Sequence, residues 1–479
     1  MNIKQRLKLL LQASFFSLFV VINAFSPSQI KAQTETSFCR QDLPKTIDNI
    51  INQPELKKAN WGIIVKNGDN DETFYQLNSD KYFLPASNAK LLITASSLIK
   101  FGKNYQVTTP VYIRGSAPVL DTLIIMGSSD PTLTHNSLKN IAQKLKKDGI
   151  KSINKVIVVG DNQTDNLVNG TWEVSDLPFA YAPPISKLNL VENVVSFNVI
   201  SRENNQLPII NWSDNLGGKQ WRVNNQILVN NNIKDSQIKL TVNWQNYQIN
   251  LTGEMPPNSE SRDWRLTIPN PSQYFLDSLV NILQTNNILV NTSQVNDSYN
   301  LSDYQLYQEI KSPILKEIIA TTNKDSNNLY AEFLYDNLAN NQDSKIESLT
   351  KILTDLGLEN GSFFLNDGSG LSRQNLVTPS ALHTVLKLMQ NEPSFVNSLS
   401  IAGIDGTLSN RFKDTIVEGK LRGKTGTLTG AVALAGYLDG ENFDNLIVTI
   451  IVNNSNQSVS ILRENIDKII LHLAKLKDC

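Results

Sequence analysis

From about Val194 to Glu254 no helix of useful length fits the chain. Short alternating strands are broken there by Asn-, Asp- and Gly-rich turns, which reads as a small all-β module. That stretch constrains the rest, because the sequence on either side has a different texture. Upstream, Val107 to Arg114 and Leu120 to Gly127 read as strands, Ser137 to Lys147 as a helix and Ile153 to Gly160 as a buried strand. The alternation suggests an α/β unit of its own. Downstream, Pro256-Pro257 and Pro269-Asn-Pro271 punctuate the exit, and a helix from Pro271 to Gln284 follows.

The two ends of the chain match one another better than they match the middle. At the front, Pro44 to Leu56 is helical, and Asn60 to Lys66 with Glu72 to Leu77 form a hairpin around Asn67-Gly-Asp-Asn70. At the back come helices at Ile310–Ile319, Leu329–Ala339, Ile346–Leu356 and Ser380–Met389. Strands at Leu421–Leu428, Val432–Leu438 and Leu446–Val452 and a helix from Val459 to Leu476 close the chain. The spacing predicts one sheet built from both ends and covered by terminal helices, with the middle third inserted into it.

Composition allows two or three domains with a large core: 479 residues, 40% hydrophobic and 19% charged. A formal net charge of -1 at pH 7 gives no basic field for nucleic acid, and none is expected as a partner. Lys4, Arg6 and Lys8 precede an apolar run from Ala13 to Phe25, with Ala24 and Ala32 as cleavage points. Residues 1–32 are therefore expected to be a cleaved secretory signal; the run is short for a membrane span, and an uncleaved anchor is the alternative. The mature protein is expected outside the cytoplasm, in the periplasm. Its cysteines are Cys39 and Cys479, and one pair in an exported chain points to a disulfide, with two free thiols as the alternative.

Lys81 to Lys100 carries the first sign of chemistry. A helix begins at or just before Ser87, and Leu91, Leu92, Ala95, Leu98 and Ile99 repeat at helical spacing before Gly102 stops it. Ser87 in the first turn feels the positive end of the helix dipole, and Lys90 lies three residues on along the same face. A lysine dry enough to lose its proton can serve the hydroxyl as a base. Ser-x-x-Lys also occurs at Ser28, Ser97, Ser152, Ser236 and Ser348, so the pattern alone selects nothing. Ser326-Asn-Asn328 precedes a helix, where an N-cap is the competing reading. Ser213-Asp-Asn215 is set aside because it falls in the all-β stretch with no helix start beside it. Lys424-Thr-Gly426 is the only such tripeptide and lies on a strand, where Lys424, Thr425 and Thr427 suit a substrate carboxylate.

Taken in order, Ser-x-x-Lys at a helix start, Ser-x-Asn before a helix and Lys-Thr-Gly on a late strand form the set of penicillin-recognising serine enzymes. The chain resembles the D-alanyl-D-alanine carboxypeptidase/endopeptidase family, the low-molecular-mass class C penicillin-binding proteins. Gly127-Ser-Ser-Asp-Pro-Thr-Leu133, Ala182-Pro-Pro-Ile-Ser-Lys-Leu-Asn-Leu190, Asn328-Leu-Tyr-Ala-Glu332, Asp367-Gly-Ser-Gly-Leu-Ser-Arg373 and Gly403-Ile-Asp-Gly-Thr-Leu-Ser-Asn-Arg411 extend the likeness over nearly the whole mature chain.

The resemblance implies a mixed α+β fold: a serine β-lactamase/transpeptidase-like domain, an antiparallel sheet flanked by helices, interrupted by two nested insert domains, one α/β and one all-β. The transpeptidase-like domain would cover 38–107 and 298–479, the α/β insert 108–192 and 262–297, and the all-β insert 193–261. It implies Ser87 as nucleophile, Lys90 as base, Ser326 and Asn328 as proton relay and substrate-amide holder, and Lys424 with Thr425 on the terminal carboxylate. Gly426 lets substrate lie along the strand, the backbone N–H groups of Ser87 and Thr427 form the oxyanion hole, and Arg373 faces substrate or serves a turn. Expected partners are peptidoglycan stem peptides, with β-lactams as acylating inhibitors; no cofactor or metal is expected, and the oligomeric state is left open. His135, His383 and His472 read as structural. Asn327 departs from the aspartate usual between the serine and asparagine, and Pro183-Pro184 stands where one proline is commoner. A β-lactamase, an esterase or a penicillin sensor of the same fold are the competing readings, although no Glu-x-x-Leu-Asn is present for a class A lactamase.

Overall fold

Strands from both ends of the chain make one six-stranded antiparallel sheet in the computed structural model, which describes residues 38–162, 167–203 and 206–479. The expected signal peptide, 1–32, lies outside the described residues. The sheet order is Ser400–Ile401, Leu421–Leu428, Ala431–Leu438, Leu446–Asn453, Asn60–Asn67 and Thr73–Leu77. Ala431–Leu438 and Leu446–Asn453 are buried along their whole length, and accordingly read as continuous apolar runs rather than alternating ones. Successive side chains nevertheless sort by face. Val448, Ile450 and Val452 pack against the terminal helices Leu43–Ile51 and Val459–Ala474, whereas Ile447 and Ile451 join the core around helices Ala89–Phe101 and Pro379–Met389.

Helix Ala89–Phe101 sits inside that second core and is buried from Ala89 through Leu98. A helix enclosed on all sides needs no polar face, which explains why its apolar stripe is so broad. Ile99, expected in the stripe, instead points outward and is 43% exposed. The helix ends at Gly102, whose φ of 76° only glycine adopts at little cost.

The middle of the chain builds a five-stranded sheet ordered Leu289–Asn296, Ser152–Val159, Val119–Met126, Thr108–Ser116, Gln305–Lys311. Val119–Met126 and Ser152–Val159 run parallel, so the chain crosses between them through helix His135–Lys147. Two three-stranded sheets follow. One joins Val194–Ile200, Ile209–Trp212 and Trp264–Thr267; the other joins Arg222–Val229, Gln237–Asn243 and Gln248–Met255.

Strand pairing corrects the sequence reading in two places. Trp264–Thr267 pairs with Val194–Ile200, so the β region runs past 261. Gln305–Lys311 pairs antiparallel with Thr108–Ser116, so the five-stranded sheet runs past 298 and the helix expected from Ile310 begins at Leu315 instead. Residues 305–311 alternate Gln-Leu-Tyr-Gln-Glu-Ile-Lys without a buried helical stripe, as a half-exposed edge strand does.

Cys39 and Cys479 are joined, with Cα atoms 5.6 Å apart, where Phe38–Cys39 and Leu476–Lys477 run as a short parallel pair. The bridge closes a sequence separation of 440 residues. Its entropic contribution in a chain-entropy model is roughly 5–6 kcal/mol, an upper figure, with about 2–5 kcal/mol the usual loss on removal. Replacing Cys39→Ser is expected to lower the urea unfolding midpoint, with a loss of about 2–5 kcal/mol in unfolding free energy. An unchanged midpoint would show that the terminal strands and helices hold without it.

Candidate active site

The three motifs converge on one cleft of about 740 Å3. Ser87 lies in a single 3-10 turn, Ala86–Asn88, that leads into helix Ala89–Phe101, rather than in the first α-turn itself. Ala86 just before it has a φ of 48°, a left-handed conformation costly for any residue with a Cβ. Surrounding packing imposes that conformation. Gly370, at φ 83°, lies so close that a Cβ there would collide with the Ala86 carbonyl. Gly426 brings strand Leu421–Leu428 against the same turn, since a Cβ at 426 would come 2.7 Å from the Pro85 carbonyl oxygen.

Lys90 is wholly buried, and its Nζ lies 2.9 Å from Ser87 Oγ and 2.6 Å from Asn328 Oδ1. It also bonds the Ser369 carbonyl. The amide of Asn328 is oriented by its other end, because Nδ2 donates to the Tyr181 carbonyl at 2.6 Å and that oxygen can only accept. Two of the three groups around Lys90 are therefore acceptors only. They take two N–H bonds of a neutral amine, which leaves its lone pair facing Ser87, the one partner with a proton to give. Burial pushes the Lys90 ammonium down to about 7, against the opposing pull of Asp367 and Glu332.

Glu332 is a group that motif spacing did not single out. It is fully buried, and Oε1 accepts the backbone N–H groups of Gly368 at 3.0 Å and Ser369 at 2.8 Å, while Oε2 has no partner. Burial raises its carboxyl to about 8. That push toward the protonated acid lessens the pull Glu332 exerts on the Lys90 ammonium. Asp367 ties the same loop down, accepting from Gly370 N at 2.8 Å, Ser372 N at 2.8 Å, Asn375 Nδ2 at 2.6 Å and Trp172 Nε1 at 2.7 Å. The Trp172 bond comes from the segment between strands Ser152–Val159 and Val194–Ile200, so that region forms part of the cleft's frame.

Ser326 also holds a left-handed φ, 56°, and its Oγ lies 2.8 Å from Lys424 Nζ. Lys424 is fully buried and also donates to the Thr425 carbonyl at 2.9 Å. Burial, and then the nearby Lys90, holds its ammonium well below the ordinary range. Lys424 is thus enclosed against Ser326 and does not itself line the cleft. Thr425 bonds Thr407 at 2.8 Å, and Thr427 stands exposed beside it. Arg373 lines the cleft but is ion-paired with Glu173 and donates to the Thr429 carbonyl at 3.2 Å.

Asn327 explains its own departure. Its Oδ1 caps helix Asn328–Asn337 by accepting from Tyr330 N, and its Nδ2 donates to Glu192 at 2.9 Å. An aspartate would keep the cap but face a like charge. The discarded Ser213-Asp-Asn215 places Asp214 as the cap of a four-residue helix, Asn215–Gly218, bonded to Tyr274 at 2.6 Å. None of the three histidines lines the cleft. Tyr181, Glu173, Arg411 and Arg463 do, and motif spacing carried no signal for Tyr181, Glu173 or Arg463.

A family model described as D-Ala-D-Ala carboxypeptidase 3 (S13) matches residues 43–475. The chain belongs to that family. It is 27% identical to a penicillin-sensitive carboxypeptidase A of Dictyostelium discoideum over 522 aligned residues, covering 96% of each chain. A D-alanyl-D-alanine carboxypeptidase of an Actinomadura species is 27% identical, over 87% of this chain and 81% of the relative. Among solved structures, penicillin binding protein 4 of Haemophilus influenzae superposes with a TM-score of 0.77 at 22% identity, covering 89% of this chain and 99% of that one. The chain is thus a serine-type D-Ala-D-Ala peptidase with a transpeptidase-like fold.

Two outcomes follow from the geometry. Acylation by a labelled penicillin should climb about tenfold per pH unit below 7 and level off above it, because only neutral Lys90 has a lone pair. A flat profile from pH 5 to 8 would rule Lys90 out as the base. Gly370→Ala should slow the same acylation by about 100-fold through displacement of the Ala86–Ser87 turn; rates equal to wild type would show that the turn tolerates the intrusion.

Proposed function

We propose that the chain is an exported D,D-carboxypeptidase and D,D-endopeptidase that cleaves the D-Ala-D-Ala bond of peptidoglycan stem peptides, or its equivalent in cross-links, through an acyl-enzyme on Ser87. The observation that carries this is the pairing of two dry lysines with two serines in one cleft: Lys90 with Ser87 at 2.9 Å, and Lys424 with Ser326 at 2.8 Å. Lys90 takes the Ser87 proton as Oγ bonds to the substrate carbonyl carbon. Backbone N–H groups of Ser87 and Thr427 carry the oxyanion, a device worth about 10²–10³ in rate per donor. Ser326 passes a proton to the leaving amine as the C–N bond breaks, and the proton that Lys90 took from Ser87 replaces it, which returns Lys90 to its neutral form while Lys424 holds Ser326 in place. Asn328 Oδ1 bonds Lys90 and keeps a second lone pair for the substrate's amide N–H. Water then attacks the ester carbonyl, gives up a proton to Lys90, and Ser87 leaves with a proton restored.

Export rests on the N-terminal charge and apolar run and on the disulfide, which persists in oxidising compartments. Among the described residues no helix is long and apolar enough to cross a membrane. Susceptibility to β-lactams follows from the same acylation; the Haemophilus influenzae protein is known in complex with a β-lactam. For the domain division, the pairing of 305–311 with 108–116 supports a return to the transpeptidase-like domain after Lys311 rather than at 298.

The test is incubation with labelled penicillin and with a D-Ala-D-Ala peptide, wild type beside Ser87→Ala, with peptide mass mapping of the adduct. A Ser87 adduct absent from the mutant, together with release of D-alanine by wild type alone, is the expected result. Rapid turnover of penicillin would favour a lactamase. A stable adduct without peptide hydrolysis would favour a sensor.

A further inference from the structure

A substrate ending in a free carboxylate needs a cation at the far end of the cleft. Lys424 is fully buried, does not line the cleft, and has its Nζ bonded to Ser326 Oγ and the Thr425 carbonyl. Three arginines line the cleft: Arg373, Arg411 and Arg463. Arg373 is ion-paired with Glu173. Arg411 is fastened to Asp467, its Nε at 3.2 Å from each carboxylate oxygen and its Nη2 bonded to one of them. Each of these charges is already matched by a carboxylate of the protein.

Arg463 differs. It stands on helix Val459–Ala474, and its Nη2 donates to Thr427 Oγ1 at 2.9 Å. Its Nε is buried and has no partner, and among the described residues no carboxylate lies within ion-pairing distance of its guanidinium. Asp467, one turn further along the helix, is engaged by Arg411. Arg463 is therefore a partly desolvated cation with hydrogen-bonding capacity to spare, placed beside Thr425 and Thr427 in the cleft that holds Ser87. Because Thr427 Oγ1 accepts from Arg463, the threonine's own O–H proton is left to donate into the cleft.

We propose that Arg463 is the specificity-determining cation of the cleft, binding the C-terminal carboxylate of the substrate together with the hydroxyl of Thr427. This rests on the D-Ala-D-Ala reading of the site and adds to it the group that reads the chain end. A planar guanidinium suits a carboxylate better than a point charge, and its interaction with a charged partner strengthens in a cleft that excludes water. The terminal helix thus contributes a substrate-binding side chain as well as covering the sheet. Lys424 is left to its partnership with Ser326.

The test compares a peptide ending in D-Ala-D-Ala with the same peptide ending in D-Ala-D-alaninamide, on wild type, Arg463→Gln and Arg463→Lys, with thermal melts to confirm folding. Wild type should prefer the carboxylate. Arg463→Gln should lose about 10- to 100-fold in kcat/KM on the carboxylate peptide and less than twofold on the amide, so that the preference collapses. Arg463→Lys, which keeps the charge and loses the fork, should fall between. An Arg463→Gln variant that keeps its preference, or that loses equally on both peptides, overturns the assignment. If the glutamine variant fails to fold, an Arg463→Lys variant that folds and matches wild type on both peptides overturns it as well. Wild type that cleaves neither peptide would overturn the D-Ala-D-Ala reading itself and this inference with it. Wild type that cleaves both without preference would overturn this inference alone.

Discussion

A lysine amine sealed from water, with acceptors on two sides and one hydroxyl on the third, is the constraint on which the cleft depends. Burying a charged ammonium without a carboxylate partner is costly, and the cheaper outcome is loss of the proton. The fold supplies that enclosure from four directions. Helix Ala89–Phe101 brings Lys90 itself, helix Asn328–Asn337 brings Asn328, the Asp367–Arg373 loop brings the Ser369 carbonyl, and the 3-10 turn brings Ser87. Moving any one of them would admit water or leave a polar group unpaired. The broad apolar surface of Ala89–Phe101 follows from this, since a helix that presents a dry amine must itself lie inside the core.

Holding those parts in register needs strain as well as packing. Ala86 and Ser326 both adopt left-handed backbone, and each immediately adjoins or carries a serine hydroxyl of the cleft. Such conformations persist only where neighbours over-determine them. At Ala86 the neighbours are Gly370 and Gly426, which have no Cβ to intrude. The loop bearing Gly370 is held in turn by Asp367 and Glu332. Glu332 thus serves two ends: one oxygen fixes backbone, and the other, unpartnered, favours a proton that lessens the pull on the Lys90 ammonium.

Much of this was legible in the sequence, and the reasons differ by element. The two-ended sheet was readable because its strands are apolar throughout and bounded by clear turns. Helix Ala89–Phe101 was readable from its spacing, although Ile99 shows that a fully enclosed helix gives no unique stripe to align. The helix expected from Ile310 starts too early because the edge strand Gln305–Lys311, half exposed to solvent, carries weak alternation and sits directly before a real helix. Asn327 departs from the usual aspartate, and only its contact with Glu192, 135 residues away, shows what an amide does there.

Arg463 marks the limit of reading by motif. On an amphipathic helix an arginine between Leu462 and Glu464 looks like solvent-facing decoration, and nothing local distinguishes it from Lys468 further along. Its surroundings make the difference: Lys468 has Glu464 at 2.9 Å, whereas Arg463 meets Thr427 and open cleft. The burial that encloses Lys90 and Lys424 makes room for such a residue. A site that packs both lysine amines against serine hydroxyls leaves an anionic chain end to be met by another cation. Guanidinium, which keeps its proton where an ammonium loses it, is the side chain that can occupy the same cleft and stay charged.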